Sequence, residues 1–339
     1  MISVLRGFVA LVAIALLAGC STHRLAEKTR LPLHPIHETR MTNQPTPGYV
    51  ATGVWRVRGA SNTVYLVGTC HLVSDDEIPF PSAYYAAYRD AKELFVEVDP
   101  LSISGAWMVL TALPGAARFF VKHDSEFICP KGRSLEDYIS PETARQLRTH
   151  YGPDYEAKTR FTPLGLIFLN EFASDGEGGV DDLFALLAHR DGKKIHSLDK
   201  RSAADLMVPT LNAVLQQARN EIAARGADAV LKEAIIEYEE ERDDWRYGDV
   251  SGAAQEIAQI KSEAPALYDQ LLPGRNRQWF STITRSLARR HNVMVLVGAL
   301  HLAGEDGLIE MLRRDGFKPE QMYGVDRPER ATPSRNLRK

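Results

Sequence analysis

Short apolar runs that end in glycine or in an acidic residue alternate along the chain with longer stretches of helical composition. "YLVG" at 65–68, "LFVEVD" at 94–99 and "VMVLVG" at 293–298 are too short for helices and are typical of buried strands. A segment of helical composition, 81–93, lies between the first two runs. This β-α-β rhythm predicts an α/β fold with a mixed or mostly parallel sheet.

The first strand is predicted to belong to a hairpin, because two β-rich runs in 53–69 flank the turn-forming "GASN" at 59–62. The middle of the chain is predicted to be largely helical. Its first segment, 103–123, is mostly apolar, and we expect the helix to break at Pro114. "KKIHSLD" at 193–199 predicts one further short strand. Other helices are predicted over 134–150, 163–173, 180–191 and 275–291. Between the last two ranges, charged helices are predicted that end near residue 263.

The apolar run followed by Gly-x-x-His-Leu occurs twice, in "YLVGTCHL" at 65–72 and in "VLVGALHL" at 295–302. In an open α/β sheet, ligands bind beyond the carboxyl ends of the strands. Two such units placed side by side would bring His71 and His301 to one crevice. A single histidine at a strand end is more often a hydrogen-bonded core residue, but core packing does not require the repeat.

Two other predicted strands end in acids that could reach the same crevice. "LFVEVD" supplies Glu97 and Asp99, which point the same way along a strand, so one could bind a ligand while the other orients a histidine. "KKIHSLD" supplies Asp199, and its His196 is interpreted as structural. Two imidazoles with one or two carboxylates form a site for a first-row metal ion. The alternative is that these side chains have only structural roles, as turn and helix-cap residues.

The first twenty residues, "MISVLRGFVALVAIALLAGC", are typical of a targeting segment. Arg6 precedes an apolar run, 7–17, that is too short for a comfortable membrane span. "LLAGC" resembles a bacterial lipobox, which predicts a signal peptide over 1–19 and a lipidated Cys20. An ordinary signal peptide that ends by chance in cysteine is the alternative. Buried acyl chains contribute about 0.8 kcal/mol per methylene, so the lipid would hold the protein on the membrane.

Ser21 follows the cysteine and, by resemblance to other lipoproteins, indicates the periplasmic face of the outer membrane of a Gram-negative bacterium. Residues 20–50 are rich in Pro, Thr, His and Arg without periodicity, and they are interpreted as a flexible tether.

Cys70 and Cys129 could form at most one disulfide, or they could be two buried thiols.

Composition narrows the classes of partner. The chain has 339 residues, of which 44% are apolar and 25% charged, enough to bury the core of one large domain or two modest ones. The 41 basic residues nearly balance the 44 acidic residues, and no basic stripe is present. We therefore expect no nucleic-acid partner.

Taken together, these motifs resemble the TraB/GumN family, which is related to the Tiki metalloproteases and more distantly to erythromycin esterase-like and haem-binding lipoprotein domains. The resemblance implies one α/β domain over 51–326, built from two related halves with a largely helical middle insertion, and followed by a basic tail over 327–339. The segments that carry the resemblance are "GTCH" at 68–71, "VEVD" at 96–99, "GVDDLFALLAHRDGKKIHSLD" at 179–199, "RNRQW" at 275–279 and "GALHLAGEDGLIEML" at 298–312.

The resemblance also implies a set of site residues. It assigns His71, His301 and Glu97 to the site, and it gives Asp199 the place of a family glutamate, whose reach is longer by one methylene. Arg275 and Asn276 are expected near the crevice, where the arginine could clamp a carboxylate or stabilise an oxyanion. Otherwise Asn276 caps a helix and Arg275 lies on the surface.

The resulting expectation is a lipid-anchored, metal-dependent hydrolase that uses manganese or cobalt and acts on peptides or proteins. Glu97 would serve as a metal ligand or as the general base. Three alternatives stay open: a lipoprotein that binds haem or a metal without catalysis, an inactive envelope scaffold, and a metal-free reaction in which His and Glu act as acid and base.

Overall fold

A computed structural model describes residues 40–70, 73, 78–99, 103–172, 179–199, 203–233, 245–248, 257–258, 261–262 and 265–326. The strands are β1 (Met41–Thr42), β2 (Val50–Arg58), β3 (Thr63–Thr69), β4 (Glu93–Val96), β5 (Lys194–Ser197), β6 (Val293–Gly298) and β7 (Glu320–Gly324). The helices are α1 (Ser82–Asp90), α2 (Ile103–Phe127), α3 (Pro141–Tyr151), α4 (Tyr155–Lys158), α5 (Pro163–Phe172), α6 (Val180–Arg190), α7 (Ala203–Arg225), α8 (Pro265–Leu271), α9 (Pro273–Ser286) and α10 (Leu308–Arg314).

All seven of these strands form one mixed sheet in the order β1-β7-β2-β3-β6-β4-β5. The neighbours β3, β6, β4 and β5 run parallel, whereas β1, β7 and β2 add antiparallel pairings at the other side. The α/β fold class predicted from the sequence is thus confirmed. Because the four parallel strands share a direction, their carboxyl ends meet at one edge of the sheet.

Both faces of β3, β4 and β6 are buried, which explains their nearly continuous apolar sequences. Alternate positions belong to different cores: Val67 packs with α1 and α6 on one face, whereas Leu66 packs with α9 and α10 on the other. A fully buried side chain of this size contributes roughly 1.5–3 kcal/mol to folding. These three buried strands are therefore firm supports for the residues at their carboxyl ends.

The two segments that carry Gly-x-x-His leave the sheet side by side, because β3 pairs with β6 and Thr69 lies opposite Gly298. A Cβ atom added at Gly68 would lie 3.3 Å from Leu302 Cδ1 and 3.5 Å from Ala299 Cα. Glycine at this position thus permits the chain that leaves β6 to pack closely against β3. His71 lies outside the described residues.

The chain groups into two compact units. One contains the sheet with its flanking helices, and the other is helical and comprises, among the described residues, 107–172 and 203–233. The break predicted at Pro114 is wrong, since α2 continues through it. The helix after the proline packs Ala116, Phe119 and Phe127 into an apolar core, which offsets the backbone hydrogen bond that proline cannot donate.

The predicted signal peptide, Cys20 and the basic tail 327–339 lie outside the described residues. Within the segment predicted to be a tether, Met41 and Thr42 form β1 and pair with β7. Cys70 and Cys129 are both thiols and are partly buried. Among the helices that the structure describes, none is both long and apolar enough to cross a membrane.

Candidate functional site

Five of the residues predicted from the sequence meet at the carboxyl edge of the parallel strands. Glu97 directly follows β4, Asp199 is the second residue after β5, and His301 lies in the 3-10 turn after β6. Arg275 and Asn276 lie near the start of α9. The backbone N–H of Asp199 donates to the carbonyl oxygen of Glu97 over 3.0 Å, which extends the strand pairing into the site.

Arg275 lies between the two carboxylates. Its Nη2 donates to Asp199 Oδ2 over 2.7 Å and also to Glu97 Oε2, and its Nη1 donates to His301 Nε2 over 3.1 Å. Burial is the largest single influence on the pKa of Arg275 and lowers it, but the two carboxylates together outweigh burial and raise it. The guanidinium therefore stays charged, and the three groups Arg275, Glu97 and Asp199 carry a net charge of −1 when both acids are ionised.

Asn276 fixes the orientation of the His301 ring. Its Nδ2 donates to the carbonyl oxygens of His301 and Asp306, over 3.2 and 2.9 Å, so its Oδ1 is the acceptor that lies 2.8 Å from His301 Nδ1. Nδ1 therefore carries the proton, and the lone pair of Nε2 faces Arg275 Nη1. Glu97 Oε1 lies 3.7 Å from the same Nε2.

The alternative reading of Arg275 and Asn276 as surface and cap residues is wrong. The N-cap of α9 is Leu272, and Asn276 lies inside the helix with its side chain buried against the His301 loop. Arg275 is held among buried acids rather than in solvent. Both residues take part in the site because α9 crosses the edge of the sheet.

Among the described contacts, Glu97 and Asp99 have different partners. Glu97 Oε1 accepts a 2.7 Å hydrogen bond from the backbone N–H of Gly298, which ties it to the end of β6. Asp99 Oδ1 instead lies 3.2 Å from His189 Nε2, on α6. The two acids were expected to point the same way, but β4 ends at Val96 and strand alternation no longer applies beyond it.

Trp279 also belongs to the cluster, although it was not among the site residues predicted from the sequence. Its Nε1 donates to Asp199 Oδ1 over 2.9 Å, and its ring centroid lies 4.5 Å from the guanidinium carbon of Arg275 and 4.5 Å from the ring centroid of His301. The available signal was its spacing of four residues from Arg275 on a predicted helix, which puts both on one face. A cation over an indole face is attracted to it.

The donors at this site fit a divalent cation in part. The imidazole nitrogen of His301 and the carboxylate of Glu97 are suitable ligands for first-row metals. Asp199 fits less well, because Trp279 bonds one of its oxygens and Arg275 the other. Within the described residues, which do not include His71, no group of three or more His, Cys, Asp and Glu side chains is arranged to hold a metal ion.

A second cluster lies at the amino end of β4. Glu93 is buried there and bonds His196 Nε2 over 2.7 Å, together with Arg289 and His291. Burial raises the pKa of Glu93, but these three partners outweigh burial and lower the pKa to about 2. His196 thus bonds a buried acid at the opposite end of the strand from Glu97.

Comparison with known proteins gives one result. No match was found among curated proteins or among solved structures. The sequence model of the TraB/PrgY/gumN family matches residues 53–321, a range that contains every member of the cluster around Arg275. Because this match spans most of the chain, the protein belongs to the TraB/PrgY/gumN family.

Proposed function

We propose that this protein is a divalent-metal-dependent hydrolase that cleaves amide bonds in peptides or proteins at the carboxyl edge of its sheet. One observation carries the proposal: Asn276 orients His301 so that its Nε2 lone pair faces the site, 3.7 Å from the carboxylate oxygen Oε1 of Glu97. A histidine that binds a metal usually donates its other ring N–H to a fixed acceptor, the role that Asn276 Oδ1 has toward His301 Nδ1 here.

In this proposal His301 and Glu97 hold the metal, and His71 of the matching Gly-x-x-His motif is the third ligand. When bound, the metal would polarise a substrate carbonyl and supply an activated water. Manganese and cobalt are the first candidates. Asn276 keeps the proton on His301 Nδ1, and the Gly298 N–H holds Glu97 Oε1 in place.

Arg275 has a separate role toward the substrate. Its guanidinium is the positive group closest to Glu97 and His301 among the described contacts of those two side chains, so it is suited to stabilise negative charge on a carbonyl oxygen under attack. The burial of the surrounding side chains keeps bulk water away, which strengthens this interaction.

We also propose that Cys20 is lipidated and holds the protein at the periplasmic face of the outer membrane. The support is the sequence alone: Arg6, the apolar run 7–17 and "LLAGC". Cys20→Ser should release the protein from the membrane fraction and abolish incorporation of labelled palmitate. Incorporation that is unchanged in the variant would contradict this part.

A metal-free hydrolase is a second candidate, and the position of Arg275 favours it. The guanidinium already donates hydrogen bonds to both carboxylates and to His301 Nε2, so each of these groups has a donor without a metal. In that case Arg275 Nη1 would leave His301 Nε2, which would accept the proton of the attacking water, and Glu97 Oε1 would stabilise the imidazolium that forms. Hydrolysis that survives exhaustive chelation would select this candidate.

The test is metal content, measured by mass spectrometry on the full chain purified in detergent without chelator or histidine tag. We expect about one metal ion per chain in the wild type, and loss of the metal in His71→Ala and His301→Ala, since each removes a ligand. His150→Ala is the matched control, because it removes an exposed imidazole on α3.

The same proteins are then assayed with internally quenched peptides in the presence of manganese or cobalt. Hydrolysis by the wild type and by His150→Ala alone supports the proposal. Full activity in both ligand variants overturns it. A protein that binds metal, or gives a visible absorption band with haemin, and hydrolyses nothing is a binding lipoprotein instead.

A further inference from the structure

The guanidinium of Arg275 occupies the region that a cation held by Glu97 and His301 would need. It bonds Oε2 of Glu97 and the Nε2 lone pair of His301, the two described groups that the proposed function assigns to the metal. A side-chain cation and a metal ion cannot use the same lone pair at once. Binding of one therefore opposes binding of the other.

Two residues hold the guanidinium in this position. Asp199 Oδ2 accepts hydrogen bonds from both Nε and Nη2 of Arg275, over 3.1 and 2.7 Å. Trp279 supports both partners: its N–H bonds the other oxygen of Asp199, and its ring lies against the guanidinium. Trp279 is almost fully buried at 1% exposure, so the ring has no freedom to move aside.

We propose that Arg275 is an internal competitor for the metal, held across Glu97 and His301 by the positioning residues Asp199 and Trp279. Rotation of the guanidinium off Glu97 and His301 exposes the carboxylate of Glu97 and the neutral imidazole of His301. A divalent cation then replaces the guanidinium. This inference rests on the proposed function, because it takes Glu97 and His301 as the ligands.

The competition explains why this chain has an aspartate at position 199, where the family resemblance leads us to expect a glutamate. Both of its carboxylate oxygens are engaged by Arg275 and Trp279, so its shorter reach suits a residue that holds an arginine rather than one that binds metal. Asp199 and Trp279 would then control how readily the metal enters. Weakening either of them should favour the metal without altering a ligand.

The test is isothermal titration of the full chain with manganese alone, after chelation and dialysis. Arg275→Gln removes the competitor, and we expect its Kd to fall about tenfold or more, the scale on which one nearby charge shifts binding to an ionisable site. Trp279→Phe keeps the ring and the net charge but removes the N–H that orients Asp199. We expect its Kd to fall about threefold or more, since the guanidinium is less firmly held.

Two further variants make the result interpretable. Arg277→Gln removes a neighbouring arginine of α9 whose partner Asp269 is exposed, so it controls for a general change of charge and should bind as the wild type does. Arg275→Lys keeps the charge but loses the planar fork. It should bind manganese more tightly than the wild type, and it replaces Arg275→Gln if that variant does not fold.

The outcomes separate this inference from the proposed function. Tighter binding in the Arg275 variant and in Trp279→Phe, with Arg277→Gln unchanged, supports the inference even if the wild type itself binds no manganese, in which case the metal-dependent function fails alone. Wild-type binding that none of these variants tightens overturns the inference and leaves the proposed function standing. Absence of binding in every protein overturns both.

Discussion

The two ends of strand β4 carry the same kinds of side chain in opposite proportions. At the amino end a single acid, Glu93, accepts from one arginine and two histidines. At the carboxyl end a single arginine, Arg275, donates to two acids and one histidine. One cluster has an excess of donors around an acid, and the other has an excess of acceptors around a cation.

Burial separates the two ends further. At the amino end the three partners of Glu93 are 36–42% exposed, so water screens them and can solvate each of them if a bond breaks. At the carboxyl end the Arg275 and His301 side chains are only 13% and 5% exposed. Only the carboxyl end combines buried lone pairs with surplus negative charge, and for that reason we assign chemistry to it.

The largest expected effect is on catalysis, when the acid at each end of β4 is replaced in turn. Glu97→Gln should lower kcat/KM for peptide hydrolysis by roughly a thousandfold or more, because it removes a charge from the reacting site. Glu93→Gln keeps the site intact and should retain activity close to the wild-type value. Equal losses in the two variants, in assays matched for folded protein, would remove the functional distinction between the ends of β4.

A smaller effect is expected on stability when each arginine is replaced. Arg275→Gln leaves two buried carboxylates without their cation and should lower the free energy of unfolding by about 3–5 kcal/mol. Arg289→Gln should cost about 1 kcal/mol or less, since Arg289 is partly exposed and Glu93 keeps two other partners. Urea unfolding measures both. A larger loss in Arg289→Gln than in Arg275→Gln would contradict the comparison.

The smallest effect is a pH dependence of stability at the amino end. The pKa of Glu93 is lowered from 4.5 to about 2, so its pairing stabilises the fold fully above pH 4.5 and is lost as the pH falls toward 2. The stability difference between the wild type and Glu93→Gln should therefore shrink over this interval. Urea midpoints at several pH values measure it, and a difference that is constant from pH 5 to pH 2.5 would argue against the pairing.

Much of the sheet could be predicted because buried parallel strands leave a local signature. The apolar run 293–298 corresponds to β6 residue for residue, and "GASN" marks the hairpin of β2 and β3. The pairing of β1 with β7 could not be predicted in the same way. It joins residues almost three hundred positions apart, and neither strand has a distinctive apolar pattern.

Part of the candidate site could also be predicted from the sequence. Glu97, Asp199 and His301 come together because each follows a parallel strand, a rule that sequence can apply. The bridging position of Arg275 and the contribution of Trp279 depend on how α9 crosses the sheet edge, which no local pattern encodes. Asp99 shows where this rule stops applying. It is the third residue after β4, and tertiary contact with His189 sets the direction of its side chain.

The position of β5 has a consequence for motion. Among the described strands, β5 is the last of the sheet with β4 as its one neighbour, and its residues are exposed or half-buried. Edge strands open locally at lower free energy than central ones. Asp199 lies just beyond this strand, so Arg275 is held by the least protected member of the parallel set. Amide hydrogen exchange at Lys194–Ser197 should therefore report how often the arginine is released, while the amides of β6 stay protected.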